Sequence, residues 1–189
     1  MPSTEIAHGS LFDVSNKSGQ SIAEIFARDL TAIVMIDISA SMRAEDCLNN
    51  QSRASVSVLE LKKLQAKIPG RIAIIEWAER YAFCPSGIPA PATGSNTDMA
   101  GVLRFVHRAD DCGIQLILIS DGNPDCESDT LNVARTFKTK IDTIFIGPES
   151  DPGADFMRRL AALTGGRAQT QSAQGMVNLA DQIDRLLTA

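Results

Sequence analysis

Residues 31–42 read TAIVMIDISASM. From Ala32 to Ile36 every side chain is apolar, over a length that suits one strand buried on both faces. The run stops at Asp37-Ile38-Ser39-Ala40-Ser41, which sets three oxygen-bearing side chains at alternate positions. A strand running into a polar turn would use the same residue types, because Ser and Asp favour turns. A buried strand that delivers a carboxylate and two hydroxyls to its C-terminal end also has the makings of a ligand site, since open α/β sheets bind ligands at that end. Hard cations take oxygen ligands, and Mg²⁺ keeps several waters and uses few protein groups.

Working outward, the segment just before this strand carries Ile22, Ile25, Phe26 and Leu30 at helical spacing, so a short helix is expected there. Residues 1–19 show no clear periodicity and are expected to be partly mobile. After the strand, 43–52 is polar; Glu45 and Asp46 within it read as solvated. Val58, Leu61, Leu64 and Ile68 then form a helical stripe stopped by Pro69-Gly70. Lys62, Lys63 and Lys67 read as the wet face of that helix. IAIIEW at 72–77 is a second strand, with a short third at 81–83.

Residues 84–96, CPSGIPAPATGSN, hold three prolines and no periodicity, which makes them a loop of a length that is commonly functional. It leads into Thr97-Asp98 and then Met99, Val102, Leu103 and Val106 at helical spacing. Ser95, Asn96 or Thr97 could simply cap that helix. A further apolar strand, IQLILI at 114–119, ends in Ser120-Asp121-Gly122-Asn123-Pro124-Asp125. Asp121, Asn123 and Asp125 mimic the start of an EF-hand loop, but Cys126 stands where that loop needs Gly and Asn132 where it needs Glu. Beyond it, Leu131, Val133, Ala134 and Phe137 suit a helix and 141–146 a strand. Phe156, Leu160 and Leu163 suit another helix, 167–170 an edge strand, and Met176, Leu179, Ile183 and Leu186 a final amphipathic helix. Strand–helix alternation of this kind implies a mostly parallel sheet covered on both faces.

Asp37-x-Ser39-x-Ser41, Thr97-Asp98 and Asp121-Gly122, in that order, resemble the metal-ion-dependent adhesion site (MIDAS) of von Willebrand factor A (vWA) domains. The resemblance covers about residues 30–188, with Ala40 where many relatives have Gly. It implies a three-layer, Rossmann-like α/β fold with one short antiparallel edge strand. The division expected is an N-terminal extension over 1–29, with its short helix, and a vWA domain over 30–189. It also implies a metal set of Asp37, Ser39, Ser41, Thr97 and Asp121. The hydroxyls would bind Mg²⁺ (or Mn²⁺ or Ca²⁺) directly, and the two carboxylates would act by orienting hydroxyls and waters. An ion with so little direct anionic ligation favours a carboxylate from a partner protein. The expected function is therefore metal-dependent protein recognition without bond-breaking, as an intracellular adaptor. By analogy with such relatives, the partner would be an AAA+ ATPase or a stress- or phage-related assembly.

Two other classes stand beside that one. A metal-dependent hydrolase would activate water, yet the sequence has no Gly-x-x-x-x-Gly-Lys loop, His-Glu-x-x-His or Gly-x-Ser-x-Gly motif. A purely structural vWA domain would leave the site unused.

The 189 residues suit a single domain, and 44% hydrophobic with 22% charged residues describe an ordinary globular protein. A formal net charge of −5 argues against non-specific binding to nucleic acid or anionic membrane. No apolar run approaches a membrane span, and no basic region precedes a hydrophobic core at the N-terminus, so a cytoplasmic protein is expected. Cys47, Cys84, Cys112 and Cys126 lack close metal-ligand spacing and are expected to be thiols. A zinc site from Cys84, Cys112, Cys126 and His107 is conceivable but has no spacing to support it.

Overall fold

The computed structural model describes residues 5–148 and 150–171, together with Asp181 and Ile183. Among these residues six strands form one sheet in the order β3-β2-β1-β4-β5-β6. These are β1 (Ala32–Asp37), β2 (Ile72–Trp77), β3 (Tyr81–Phe83), β4 (Gln115–Ser120), β5 (Ile141–Ile146) and β6 (Ala168–Gln171). All pairings are parallel except that of β3, which runs antiparallel along the edge of β2. β1 and β4 are central, and β1 is buried along its whole length, which is why its sequence does not alternate.

Among the described residues the named α-helices that accompany the strands are α1 (Leu11–Ser18), α2 (Ile22–Asp29), α3 (Arg53–Lys67), α4 (Met99–Val106), α5 (Glu127–Ala134) and α6 (Pro152–Thr164). Alternate residues of β1 feed two cores. Ile33 and Met35 pack with Ile25 of α2, Val102 of α4, Ala134 of α5 and Phe156 of α6. Val34 and Ile36 face the other way, toward Leu61 and Leu64 of α3 and toward Ile183. Helices therefore cover both faces. The final helix read from the sequence lies outside the described residues apart from Asp181 and Ile183, both helical.

The N-terminal segment departs from expectation. A helix not expected from the sequence precedes the expected one: residues 11–18 form α1, capped by Ser10 at one end and by left-handed Gly19 at the other. Only Leu11 of α1 is buried, so its own pattern carries little signal. Bonds from the Ala7 N–H to the Ser86 carbonyl and from the Phe12 N–H to that of Pro85, at 2.9 and 3.0 Å, fix it to the proline-rich loop. α2 opens with a reciprocal capping box between Ser21 and Glu24. Among the described residues no helix is long and apolar enough to cross a membrane.

Chain order reverses at the centre of the sheet. β1 leads through α3 to β2 on one side, whereas β4, on the other side of β1, leads on to β5. The C-terminal ends of β1 and β4 therefore flank a topological switch point, where the loops diverge and leave a crevice.

Candidate metal centre

Ile36 of β1 pairs with Ile119 of β4, which sets Asp37 beside Ser120 at the strand ends. Asp37 is 1% exposed. One carboxylate oxygen accepts the Ser39 backbone N–H and the other the Ser120 hydroxyl, both at 2.7 Å. Ser120 Oγ in turn accepts the Gly122 N–H at 3.0 Å. A single buried carboxylate thus shapes the turns after both central strands. Burial pushes its pKa up to about 6, against the pull of the Ser120 and Ser39 hydrogen bonds, which favour the ionised form.

Ser39 starts a 3-10 turn over Ala40–Arg43 whose N-terminus no side chain caps. Its hydroxyl instead lies 3.0 Å from that of Ser41. Ser39 is buried and Ser41 exposed, so the pair runs from the crevice to the surface. The second loop is laid directly on this turn. Gly94 bridges to Ser39, its carbonyl accepts the Ala40 N–H at 2.8 Å, and its N–H donates to the Ile38 carbonyl at 3.3 Å. A Cβ at Gly94 would come within 2.3 Å of the Ala78 Cβ, so the approach requires glycine.

Thr97 follows three residues later and is half-buried. Its N–H donates to Asp125 Oδ1 at 2.8 Å, and its carbonyl accepts the Asp125 N–H at 3.1 Å. The loop carrying Thr97 is thereby stitched to the first motif through Gly94 and to the third through Asp125. The cap of α4 is Asp98, which accepts the Gly101 N–H at 2.8 Å. Capping, the competing role for Thr97, belongs to its neighbour.

Asp121 is 1% exposed, yet its Oδ1 has no hydrogen-bond partner. Oδ2 has a 3.5 Å contact with Arg53 Nη1. Burial raises the Asp121 pKa, opposed by the nearby Ser41 hydroxyl and the Arg53 charge. The following Gly122 has φ +78° and sits so close to Gly153 that a Cβ would lie 2.3 Å from its carbonyl oxygen. Only glycine satisfies both conditions.

Arg53 and Asp46 are the residues that sequence reasoning missed. Asp46 is exposed, as expected, but it also accepts two bonds from Arg53 Nε, at 3.0 and 3.1 Å. Those bonds hold the Asp46 carboxyl below its usual range. The buried guanidinium sits between Asp46 and Asp121. Ser120 also received no role from the sequence, although a hydroxyl closing a buried strand just before Asp-Gly was the available signal.

Asp37, Ser39 and Ser41 are thus joined by direct hydrogen bonds, and Asp121 stands across the crevice beside Arg53. Thr97 is tied to the cluster through backbone. Among the described residues no three His, Cys, Asp or Glu side chains converge, so an ion here would be held mainly by hydroxyls. Paired hydroxyls, a threonine on an adjoining loop and an unpartnered buried carboxylate oxygen fit a hard divalent cation. The other candidates lie elsewhere. His107 stacks edge-on against Phe137 at 4.6 Å, and the four cysteines are thiols, not disulfides, Cys47 and Cys84 buried, Cys112 and Cys126 exposed.

No protein-family model and no curated protein matches the sequence. Solved structures do match the fold. A von Willebrand factor type A protein from Catenulispora acidiphila superposes with a TM-score of 0.65 over 84% of this chain, at 17% identity. The fold is that of a vWA domain. The D319A mutant of the PilB minor pilin from Streptococcus sanguinis is also similar, with a TM-score of 0.57 over 84% of this chain at 13% identity. The match spans 42% and 60% of those two chains, respectively. In this vWA fold the switch-point crevice coincides with the cluster built above, since Asp37 and Ser120-Asp121 close its two central strands.

Proposed function

We propose that this chain is a divalent-metal-dependent protein-recognition module. The observation that carries the reading is Asp121 Oδ1, a buried carboxylate oxygen without a partner across the crevice from the Ser39–Ser41 hydroxyl pair. A buried unpaired carboxylate oxygen costs on the order of 1–3 kcal/mol, so it calls for a partner, which a cation or a water supplies. Ser39, Ser41 and Thr97 would hold the ion directly, and Asp37 and Asp121 would orient its waters. A Mg²⁺ or Mn²⁺ bound there would offer an electrophilic position to an incoming Asp or Glu carboxylate. Both oxygens of Asp37 are already committed to Ser39 and Ser120, which supports recognition over hydrolysis, because that carboxylate is tied down as a scaffold.

The test is thermal unfolding with Mg²⁺, with Mn²⁺ and with chelator, on wild type, Ser41→Ala and Thr97→Ala. Saturable stabilisation of the wild type is expected, about 2.7 kcal/mol at a hundredfold excess over the dissociation constant. Each variant should fold and lose most of that gain. Equal stabilisation of all three proteins would overturn the reading.

A further inference from the structure

Beside the Ser39–Ser41 turn the surface opens into a groove of about 550 Å³. Ser55 and Val58 of α3 line one side, and Pro89, Pro91 and Thr93 of the proline-rich loop line the other. The groove is continuous with the candidate centre, because its loop wall runs into Gly94, the residue bridged to Ser39. Arg43, two residues after Ser41, also lines it. Arg43 is exposed, and its Nε makes one long bond, 3.4 Å, to the Ala40 carbonyl. Among the described residues it pairs with no carboxylate, unlike Arg28, Arg53, Arg104, Arg158 and Arg159.

Along 89–91 the loop wall has no free N–H to offer an added strand. Pro89 and Pro91 have no N–H, and that of Ala90 is taken by Glu76 Oε2 at 2.7 Å. An occupant is therefore read through its side chains. Exposed Asp125 lies on the side of the third loop, and Arg43 is the charged residue among those lining the groove. We infer that the groove receives an extended acidic segment of a partner protein, one carboxylate directed to the hydroxyl-lined centre and a second, flanking acid paired with Arg43. The inference rests on the metal-dependent reading above and adds a partner chemistry to it: two acidic residues in one segment, separated by small apolar residues that lie against Val58 and the prolines.

A random-peptide phage library panned on the full chain in Mn²⁺ and eluted with chelator tests this, run in parallel on wild type, Arg43→Ala and Arg43→Glu. Arg43 is exposed, so both variants should keep the wild-type melting temperature. Wild type should select peptides with two acidic positions. Arg43→Ala should keep one of them and lose the other, and Arg43→Glu should replace that second acid by Lys or Arg. A synthetic wild-type consensus peptide should bind Arg43→Ala about fivefold more weakly. Chelator-sensitive peptides sharing one acid, with no change across the three proteins, would overturn the groove assignment and leave the centre standing. Failure to recover any chelator-sensitive peptide would overturn both.

Discussion

Asp142, near the start of β5, is 3% exposed, and both of its oxygens are used: Oδ1 accepts the Arg167 N–H at 2.7 Å and Oδ2 the Gln115 side-chain amide at 2.8 Å. At the opposite end of the same sheet, Asp121 is 1% exposed and has one oxygen with no partner and the other 3.5 Å from Arg53. Equal burial, then, goes with opposite degrees of satisfaction. Asp142 ties β4, β5 and the entry to β6 together, which is a fold-building task. Asp121 leaves electrostatic work undone, which a folded chain retains where something else completes it. On the metal-dependent reading proposed above, the contrast separates a carboxylate kept for stability from one kept for binding.

The largest effect that could break this contrast is on stability without metal. Asp142→Ala removes a carboxylate only 3% exposed together with the two hydrogen bonds it accepts, from the Arg167 N–H and the Gln115 amide, and should lower unfolding free energy by about 3 kcal/mol in urea titrations with chelator present. Asp121→Asn removes a buried charge while Arg53 keeps Asp46, and should stay within about 1 kcal/mol of wild type under the same conditions. If Asp121→Asn proved the more damaging of the two, the division between the sheet's ends would be wrong.

A second effect, nearly as large, comes from pH. Burial raises Asp37 from 3.8 to about 6 in the folded chain. Between those values the folded state holds a proton that the unfolded state has released. Its contribution to stability in chelator therefore falls as pH rises from about 4 to about 6, by up to roughly 3 kcal/mol, and then levels off. Other carboxylates, such as Asp46, are lowered and give the opposite slope. The measurement is accordingly the wild-type profile minus that of Asp37→Asn. A flat difference would show that Asp37 titrates normally and that its end of the sheet is better solvated than the geometry implies.

A third, smaller effect concerns Arg53, whose charge partly offsets Asp121. Arg53→Met keeps the buried stem volume and removes the cation. Mg²⁺ affinity by titration calorimetry should rise roughly tenfold, because an ion no longer competes with a fixed positive charge near Asp121. A weaker Mg²⁺ affinity would mean instead that Arg53 holds the carboxylate in position, and that Asp121 is better satisfied than its bond lengths suggest.

How far the sequence discloses all this varies by residue. β1 is legible because an unbroken apolar run of strand length stops abruptly at polar residues, and strand–helix alternation reveals the sheet. The Arg53 pairing is not legible: Asp121 lies 68 positions away, and an arginine in a polar first turn looks like any other solvated cation. α1 escapes because one buried residue makes no periodic signal and its anchoring comes from the loop at 85–86. The groove is equally hidden, since the proline-rich loop reads as a loop whichever wall it forms.

Thr97 is where sequence is ambiguous by nature, since Thr, Asn, Ser and Asp all cap helices, and four such residues stand in a row at 95–98. The structure gives the cap to Asp98, through its bond to the Gly101 N–H. Asp98→Ala should therefore cost about 1 kcal/mol of stability whether or not metal is present. Thr97→Ala should change metal-free stability by less than about 0.5 kcal/mol, because its fixed contacts to Asp125 are made by backbone and survive the substitution. The two variants then diverge on adding Mg²⁺: Asp98→Ala gains the wild-type increment and Thr97→Ala does not. Urea titrations of both, with chelator and with saturating Mg²⁺, give the four values needed. Should Thr97→Ala respond to Mg²⁺ as the wild type does, its hydroxyl is not a ligand, and any ion is held by the Ser39–Ser41 pair without the second loop.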